Sequence, residues 1–489
     1  MKFLKRLAPL ALSAALILSL FSGCGDKKQP EQEERAADLT FYFYDSYMRA
    51  DKTANIETLA RQLVQEKLGI TVDIEWIAPR DWNNRVQMDI AAGEAVDVVC
   101  LPPEANVAML ARAGMLTDLS HLLPTNAPEA YQLMEEFLSC YRLDGALYGL
   151  PTMKDFTESR YLVFNASILD ELRLRKKAVT LSNLDQVEIL FSEVTAWEEN
   201  TAWAFGAAEG LWDAGFLTGA TAFSEHTAYD DLSDPLGLLC YRDGAVSSVA
   251  EEEQFVLACQ RVAGWNEKGW LWPDSASTIE DHSDLLRRGA LFCTATTDVA
   301  GLEELTAVSP TMVAVKLAEN PITTADLTKW GVGVASTCED PETACRFIEL
   351  LYTDSELLMA LIRGIEREDY LDTGGNVLLT GGYVQDDSVA GNQFLLVPLS
   401  GSDPEHYRQV AARNDAAERS AALGFRLDTD ALTGQLTALM SVQDRYHETL
   451  VCGGYTESLY EEYLAALSKA GIDSYLDAVQ TQLDAFLAQ

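Results

Sequence analysis

The residue with the most definite chemistry in this sequence is Cys24, a thiol that directly follows the small pair Ser22 and Gly23. Before this pair come a positively charged head and an apolar run over residues 7–21. A basic head, an apolar body and small residues at the cleavage point are the features of a secretory signal peptide. The run is shorter than the roughly 20 residues that a membrane-spanning helix needs. We therefore expect residues 1–23 to be a signal peptide and Cys24 to take a diacylglyceryl group, as in a palmitate-bearing lipoprotein.

The segment that begins at this cysteine has the composition of a flexible tether. Residues 24–38 are charged, rich in Glu, Gln and Lys, and without an apolar period, so they cannot bury enough surface to fold. Each buried CH₂ of a lipid contributes about 0.8 kcal/mol, so several acyl chains hold a protein on a membrane durably. We expect a protein anchored by lipid to the outer face of the cell membrane. An ordinary secreted protein cut nearby, or an inserted anchor, would also lie outside the cytoplasm.

No motif of this sequence is arranged for catalysis. The sequence contains no G-x-S-x-G elbow, no H-E-x-x-H and no G-x-x-x-x-G-K-[ST] loop. It has nine cysteines but no C-x-x-C pair. Asp230, Asp231, Ser233 and Asp234 offer oxygen ligands for Ca²⁺, but their spacing is not that of an EF-hand, so we expect a solvated loop. We predict that the protein is not an enzyme and holds no cofactor or metal. A glycosidase carboxylate pair stays an alternative, because such a pair needs only spatial proximity.

The charge of the chain excludes some classes of partner. The 489 residues carry a formal net charge of −40, from 36 basic and 76 acidic residues. Such a surface repels nucleic acid and anionic lipid headgroups, and it favours neutral or cationic ligands. With 48% apolar residues, the chain can form a sizeable core over two or three domains without metals or disulfides.

The elements that would hold a binding site begin with strands that alternate with helices. Residues 39–44 and 70–76 alternate in polarity and predict strands, and residues 96–101 predict a short buried strand. Helical spacing over residues 56–68 and 82–92 separates these strands, and each helix ends at a glycine. Strands in alternation with helices predict a parallel sheet that is covered on both faces.

Later segments predict a hairpin, further strands and a helical C-terminal region. The hairpin covers residues 141–151, with Asp144 and Gly145 at its turn. Strand patterns follow at residues 161–165, 290–293 and 330–335. Helical patterns lie at residues 342–351, 432–450, 458–470 and 472–487.

Short phrases of this sequence, taken in order, resemble the extracellular solute-binding lipoproteins of ABC importers, within the sugar-type class and its LipO-like branch. The phrases of the class lie at residues 91–99, 113–119, 144–151, 330–335 and 347–354. Those of the branch lie at Gly364-Ile365-Glu366 with Tyr370, at Leu423-Gly424-Phe425 and at residues 470–473. This chain has Arg367 where the branch usually has glycine, and residues 200–243 match little.

The resemblance implies an α/β fold with two lobes, of the periplasmic-binding-protein type, with crossing hinge strands and a helical C-terminal region. It implies an N-terminal lobe of residues 39–151 and 296–334, and a C-terminal lobe of residues 152–295 and 335–489. The chain would cross between the lobes near Pro151–Thr152, Thr294–Asp298 and Val334–Thr337. The resemblance also implies a ligand in the cleft, closure about the hinge and an ABC-transporter permease as partner. We expect a monomer.

In such a fold the ligand contacts should lie beyond the carboxyl ends of the strands. Sugars present flat C–H faces that aromatic rings cover, and hydroxyl groups that carboxylates and amides bind. The side chains that we expect at the ligand are Tyr44, Asp45, Trp82, Glu104, Asp155, Trp212, Asp213, Phe216, Trp330 and Asn392. Trp265 is expected in the core instead.

The sequence therefore predicts an extracellular lipoprotein that captures a small polar solute, above all an oligosaccharide, and delivers it unchanged to a permease. A receptor for peptides or other polar solutes is the nearest alternative. A lipid-anchored carbohydrate-active enzyme is the alternative from another class.

Overall fold

The computed structural model describes residues 38–49, 52–207, 229–273, 275, 281–307 and 309–488. The expected signal peptide and the lipidation site Cys24 lie outside these residues, as do Trp212, Asp213 and Phe216.

The strands are β1 (Leu39–Tyr44), β2 (Val72–Ile77), β3 (Val98–Leu101), β4 (Arg142–Leu143), β5 (Ala146–Leu147), β6 (Leu150–Pro151), β7 (Glu158–Asn165), β8 (Trp203–Gly206), β9 (Leu239–Arg242), β10 (Ala245–Ser248), β11 (Leu291–Val299), β12 (Met312–Glu319), β13 (Gly331–Val334), β14 (Tyr370–Asp372) and β15 (Val377–Leu379). The α-helices are α1 (Ala54–Leu68), α2 (Trp82–Ala92), α3 (Val107–Arg112), α4 (Leu123–Asn126), α5 (Pro128–Met134), α6 (Ala166–Glu171), α7 (Arg175–Ala178), α8 (Leu184–Thr195), α9 (Glu253–Glu267), α10 (His282–Arg287), α11 (Leu302–Thr306), α12 (Thr324–Thr328), α13 (Pro341–Thr353), α14 (Ser355–Arg363), α15 (His406–Ala416), α16 (Thr433–Thr449), α17 (Glu457–Ala470) and α18 (Ile472–Leu487).

The first sheet has the strand order β2-β1-β3-β13-β6. Strand β1 runs parallel to β2 and β3, as the alternation of strands and helices predicted. Strand β13 enters from much later in the chain and runs antiparallel to β3 and β6. The carboxyl ends of β1, β2, β3 and β6 therefore meet the amino end of β13 at one edge, which we call the carboxyl edge of the first sheet.

The second sheet has the order β12-β7-β11-β8. Strand β7 is antiparallel to both β11 and β12, and β8 runs parallel to β11. The expected crossing at Thr294–Asp298 is wrong, because β11 pairs with β7 over this whole stretch and stays within the second sheet. The expected crossing at Val334–Thr337 is also wrong, since α13 follows β13 and packs its buried face into the core of the first sheet.

Three segments connect the two sheets. Residues 152–157 lead from β6 to β7, and residues 320–330 lead from β12 to β13. A third connection follows α15, where Ile322 and Arg419 form a parallel bridge. The Ile322 amide donates to the Glu418 carbonyl over 2.7 Å, and the Ser420 amide donates to the Ile322 carbonyl over 2.9 Å. The second and third connections therefore run side by side.

Two large hydrophobic clusters correspond to the two sheets. The first takes buried residues from 39–156 and 322–417, and the second takes them from 162–295, 313–317 and 422–483. The lobe boundaries stay a prediction, and this packing favours placing residues 335–417 with the first sheet. The cysteines at 100, 140, 240, 259, 293, 338, 345 and 452 are free thiols. Among the described residues, no helix is long and apolar enough to cross a membrane.

Candidate functional site

Three aromatic rings meet at the carboxyl edge of the first sheet. Tyr44 ends β1, Trp82 begins α2 and Trp330 directly precedes β13. The ring of Tyr44 lies 5.4 Å from that of Trp82 and 5.2 Å from that of Trp330, edge to face in both cases. Trp82 is buried, whereas Trp330 is only half-buried and keeps part of its indole ring accessible. Trp330 is therefore the member of this aromatic cluster that can offer a ring surface to a solute.

A carboxylate joins this aromatic cluster. The Tyr44 hydroxyl donates a hydrogen bond of 2.7 Å to Oε1 of Glu104, an exposed residue in the loop after β3. The Asn83 side chain at the start of α2 donates to the Glu104 carbonyl over 3.1 Å. Burial, the hydrogen bond to Glu104 and the charge of Asp386 raise the pKa of Tyr44 above its ordinary value. Tyr44 is therefore a neutral hydrogen-bond donor at physiological pH, and it holds Glu104 in place.

The loop after β1 is fixed by residues from the far end of the chain. Asp45 is buried, and its Oδ1 accepts from the Arg49 amide and from Nε2 of Gln385, each over 2.8 Å. The Ser46 hydroxyl donates to Oε1 of Gln385 over 2.8 Å and accepts from the Asp386 amide over 3.0 Å. Tyr47, next in this loop, is 50% exposed. The buried amide of Gln385 thus sets the shape of the loop that carries Tyr47.

Asp155 lies in the first connection between the sheets and is held by its neighbours. Its Oδ1 accepts from the amide and the hydroxyl of Thr157, and its Oδ2 accepts from Arg413 over 3.1 Å. Its own amide donates to Oε1 of Gln393 over 3.1 Å. The Asp155 side chain has little exposure. The carboxylate therefore fixes the connection and pairs with a cation from α15.

Asn392 shapes the backbone next to that connection. Its Oδ1 accepts from the Phe394 amide over 3.0 Å, and its Nδ2 donates to the Tyr352 carbonyl over 3.3 Å. The residue is nearly buried and bridges to Met153. All polar atoms of this side chain thus serve the protein itself, and contact of Asn392 with a ligand stays a prediction.

The structure therefore brings Tyr44, Asp45, Trp82, Glu104 and Trp330 together at one edge, with Asp155 and Asn392 on the adjoining connection. A role of each residue in ligand binding remains a prediction. In the second sheet, β8 ends at Gly206, which pairs with Thr294 of β11. Trp212, Asp213 and Phe216 follow this point in the chain but lie outside the described residues.

Sequence reasoning missed Tyr47, Gln385 and Asp386. Tyr47 could have been predicted from the sequence, since it lies three residues after Tyr44, in the loop that follows β1. Gln385 and Asp386 had none, because their contacts with Asp45 and Ser46 span about 340 residues of chain.

The acidic cluster at residues 230–234 is not the solvated loop that we expected. Asp230 and Asp234 are buried. Oδ2 of Asp234 accepts from the Leu238 amide over 2.7 Å, and its Oδ1 accepts from the Tyr475 hydroxyl over 2.8 Å. These carboxylates are used to bind the chain's own backbone and a C-terminal helix. Within the described ranges, no group of three or more His, Cys, Asp or Glu side chains is placed to hold a metal ion.

Comparison with known proteins identifies the class. A family model described as bacterial extracellular solute-binding protein matches residues 58–364, which is more than half of the chain. The chain belongs to this family, and it is an extracellular solute-binding protein. A second match, to a domain of unknown function (DUF3502), covers residues 421–488 and therefore α16, α17 and α18.

A carbohydrate ABC transporter substrate-binding protein of Streptococcus pneumoniae is 21% identical over 461 residues, with 90% of each chain covered. The N-glycan transport solute-binding protein NgtS of Streptococcus pneumoniae is similar in structure, with a TM-score of 0.74, 17% identity, and coverage of 92% of this chain and 99% of that one. An HMO-binding, ABC-transporter-associated solute-binding protein of Bifidobacterium longum infantis gives a TM-score of 0.67 at 15% identity, with the same coverage. These similarities confirm the predicted two-lobed α/β fold.

Proposed function

We propose that this protein captures an oligosaccharide in the cleft between its two lobes and delivers it to an ABC-transporter permease. The observation that carries the proposal is the aromatic cluster of Tyr44, Trp82 and Trp330. Tyr44, which contacts both other rings, is hydrogen-bonded to the carboxylate of Glu104. An accessible indole ring covers the C–H face of a sugar, and a fixed carboxylate accepts hydrogen bonds from its hydroxyl groups. The relatives named above support the same class of ligand.

Binding tests the proposal directly. The purified protein is screened by thermal shift against a panel of neutral oligosaccharides and a panel of peptides. A ligand at a hundred times its dissociation constant stabilises the native state by about 2.7 kcal/mol. We expect shifts with oligosaccharides only. Shifts with peptides alone would favour the peptide receptor and contradict the proposal.

Closure about the connections between the sheets completes the capture mechanism. A solute that contacts both lobes binds the closed state better, and only such differential binding moves the equilibrium. Small-angle scattering should give a smaller radius of gyration with saturating ligand. An unchanged profile at saturation would indicate a preformed pocket without closure.

The protein also binds without turnover in this proposal. The oligosaccharide recovered after long incubation should be unchanged, and a chromogenic glycoside should not be cleaved. Cleavage that is lost on removal of one carboxylate would favour the carbohydrate-active enzyme.

Anchoring is the last part of the proposal. Cys24 is proposed to carry the lipid that holds the protein at the outer face of the membrane. Cells labelled with a fatty acid should incorporate label into the natural protein and not into Cys24→Ala, which should be released or stay unprocessed. Equal label on both proteins would remove the lipid anchor from the proposal.

A further inference from the structure

The carboxylate of Glu104 is oriented but only half used. Its Oε1 accepts the Tyr44 hydroxyl, and its backbone is held by Asn83. Its Oε2 makes no hydrogen bond to any described residue, and Glu104 is exposed. The carboxylate is thus held at the hydroxyl of Tyr44, whose ring also contacts the half-buried Trp330, and one of its oxygens is left for a solute.

A second carboxylate lies on the same edge. The amide of Asp386 donates to Ser46, and its Oδ1 accepts from the Ser388 amide over 2.8 Å. Gln385 holds this segment against the loop after β1. The charge of Asp386 reaches the hydroxyls of both Tyr44 and Tyr47, because it contributes to the raised pKa of each. Asp386 and Glu104 therefore both place a negative charge near Tyr44, Glu104 through a direct hydrogen bond and Asp386 from a segment that is hydrogen-bonded to the loop after β1.

The basic side chains around this edge are largely committed elsewhere. Arg363 is fully buried and forms a two-pronged ion pair with Asp387. Arg413 pairs with Asp155 over 3.1 Å. The Lys154 ammonium is buried and donates to the Asp155 carbonyl over 3.1 Å. Arg49 is exposed. The charges that act on the Tyr44 hydroxyl from this edge are accordingly both negative.

We infer that this site accepts neutral and amine-bearing oligosaccharides and rejects carboxylated ones, and that Glu104 and Asp386 determine this choice. A carboxylate on the solute would have to approach two fixed like charges, whereas a hydroxyl or an ammonium group donates to them. The inference rests on the proposed function, and it adds the charge class of the solute and the residues that select it.

The experiment begins with an array of neutral, amine-bearing and carboxylate-bearing glycans. For each neutral glycan that binds, a counterpart oxidised at a primary hydroxyl to the carboxylate is prepared. Calorimetric titration then gives the affinity of both members of the pair for the natural protein and for the double variant Glu104→Gln, Asp386→Asn. The amide side chains keep the shape and most hydrogen-bonding capacity while they remove the charge.

A matched control separates local charge from overall charge. The variant Glu461→Gln, Glu462→Gln removes two exposed carboxylates from α17, which belongs to the second hydrophobic cluster. It changes the net charge by the same amount but leaves the carboxyl edge of the first sheet untouched.

We expect the natural protein and the α17 variant to favour the neutral glycan at least tenfold. The double variant should raise the relative affinity for the carboxylated counterpart at least tenfold. In 1 M salt, where the Debye length is about 3 Å, the discrimination of the natural protein should shrink. A natural protein that binds both members equally, or a double variant that still rejects the carboxylated one, would overturn the inference. Failure of every glycan to bind would instead remove the proposed function.

Discussion

The hydroxyl of Tyr44 and the carboxylate of Glu104 lie 2.7 Å apart although 60 residues separate them in the chain. The hydrogen bond joins the loop after β1 to the loop after β3, and the ring of Tyr44 also contacts Trp330. The ring of Trp330 and the carboxylate of Glu104 are thus both in contact with Tyr44. The side chain of Tyr44 consequently sets the distance between the Trp330 ring and the Glu104 carboxylate, so this distance does not depend on two loops that move independently.

Replacement of Trp330 by alanine should weaken oligosaccharide binding at least tenfold, which corresponds to about 1.4 kcal/mol. The indole ring is half-buried and packs against Tyr44, so its loss removes the accessible ring surface of the cluster. Calorimetric titration measures the affinity, and a thermal melt establishes that the variant is folded. Normal affinity, or a loss explained by unfolding, would make Trp330 a structural residue.

Trp265→Ala is the contrasting change in the core. Trp265 is fully buried, lies 5.0 Å from the ring of Phe205, and donates to Glu188 over 2.9 Å. Loss of so large a buried ring costs about 3–5 kcal/mol. The melting temperature should fall clearly while the folded fraction binds its ligand with unchanged affinity. A variant with an unchanged melting temperature would contradict this placement.

Gln385→Glu should destabilise the protein and weaken ligand binding at pH 7. The new carboxylate replaces the amide that donates to Asp45, so two like charges meet in a buried position. Because such a pair has a raised pKa, protonation as the pH falls from 7 towards 4 should restore stability. Urea unfolding at several pH values measures this recovery. Gln65→Glu, on the exposed side of α1, adds the same charge and should show neither effect; equal behaviour of the two variants would refute the role of Gln385.

Arg367→Gly should stabilise the protein by about 0.5–1 kcal/mol. Arg367 has φ 72° and an exposed side chain, at the position where the LipO-like branch usually has glycine. A left-handed conformation costs a residue with a Cβ about 1–2 kcal/mol, and glycine removes this cost from the folded state. Glycine also has more conformational freedom in the unfolded chain, which offsets about 0.4–1 kcal/mol of this stabilisation. The control Arg408→Gly lies inside α15 and should destabilise by about 1 kcal/mol. Thermal melts of both variants measure these changes. A lower melting temperature for Arg367→Gly would show that the backbone at Arg367 is not strained.

Asp231→Asn should stabilise the protein at pH 7 but not near pH 4. Burial raises the pKa of Asp231 to about 6, and the neighbouring carboxylates Asp230, Asp234 and Asp326 add to the shift. The native state therefore binds a proton more tightly than the unfolded chain, so ionisation of Asp231 reduces stability as the pH rises through about 6. We expect a gain of about 1–2 kcal/mol at pH 7 that disappears by pH 4. Denaturant unfolding at pH 7, 5.5 and 4 measures it, and a gain that is independent of pH would contradict the assignment.

The sequence predicted the elements of the first sheet well because their signals are local. Alternation of polarity located β1, and helical spacing with a terminal glycine located α2. The rule that ligands lie beyond the carboxyl ends of parallel strands then selected Tyr44 and Glu104, and the strand pattern at residues 330–335 drew attention to Trp330; the structure places all three together. These inferences needed only the neighbours of each residue in the chain.

Contacts between distant segments could not be predicted in this way. The pattern of residues 290–293 indicated a strand, but no local signal said that β11 would remain in the second sheet. The carboxylate of Asp234 looked like a solvated group because its partner Tyr475 lies 241 residues further along the chain. The contact of Gln385 with Asp45 was invisible for the same reason.

The place of β13 in the first sheet has a consequence for the order in which the protein can assemble. This strand lies between β3 and β6, yet it is made only after all four strands of the second sheet. Until residue 334 has emerged, β3 has an unpaired edge, which is a hazard for aggregation in a chain that is being exported. The second hydrophobic cluster is completed later still, because its buried side chains extend to Leu483. Neither hydrophobic core can therefore be completed before most of the last third of the chain has been exported. The first sheet, whose first strands emerge earliest, thus depends on segments that emerge late.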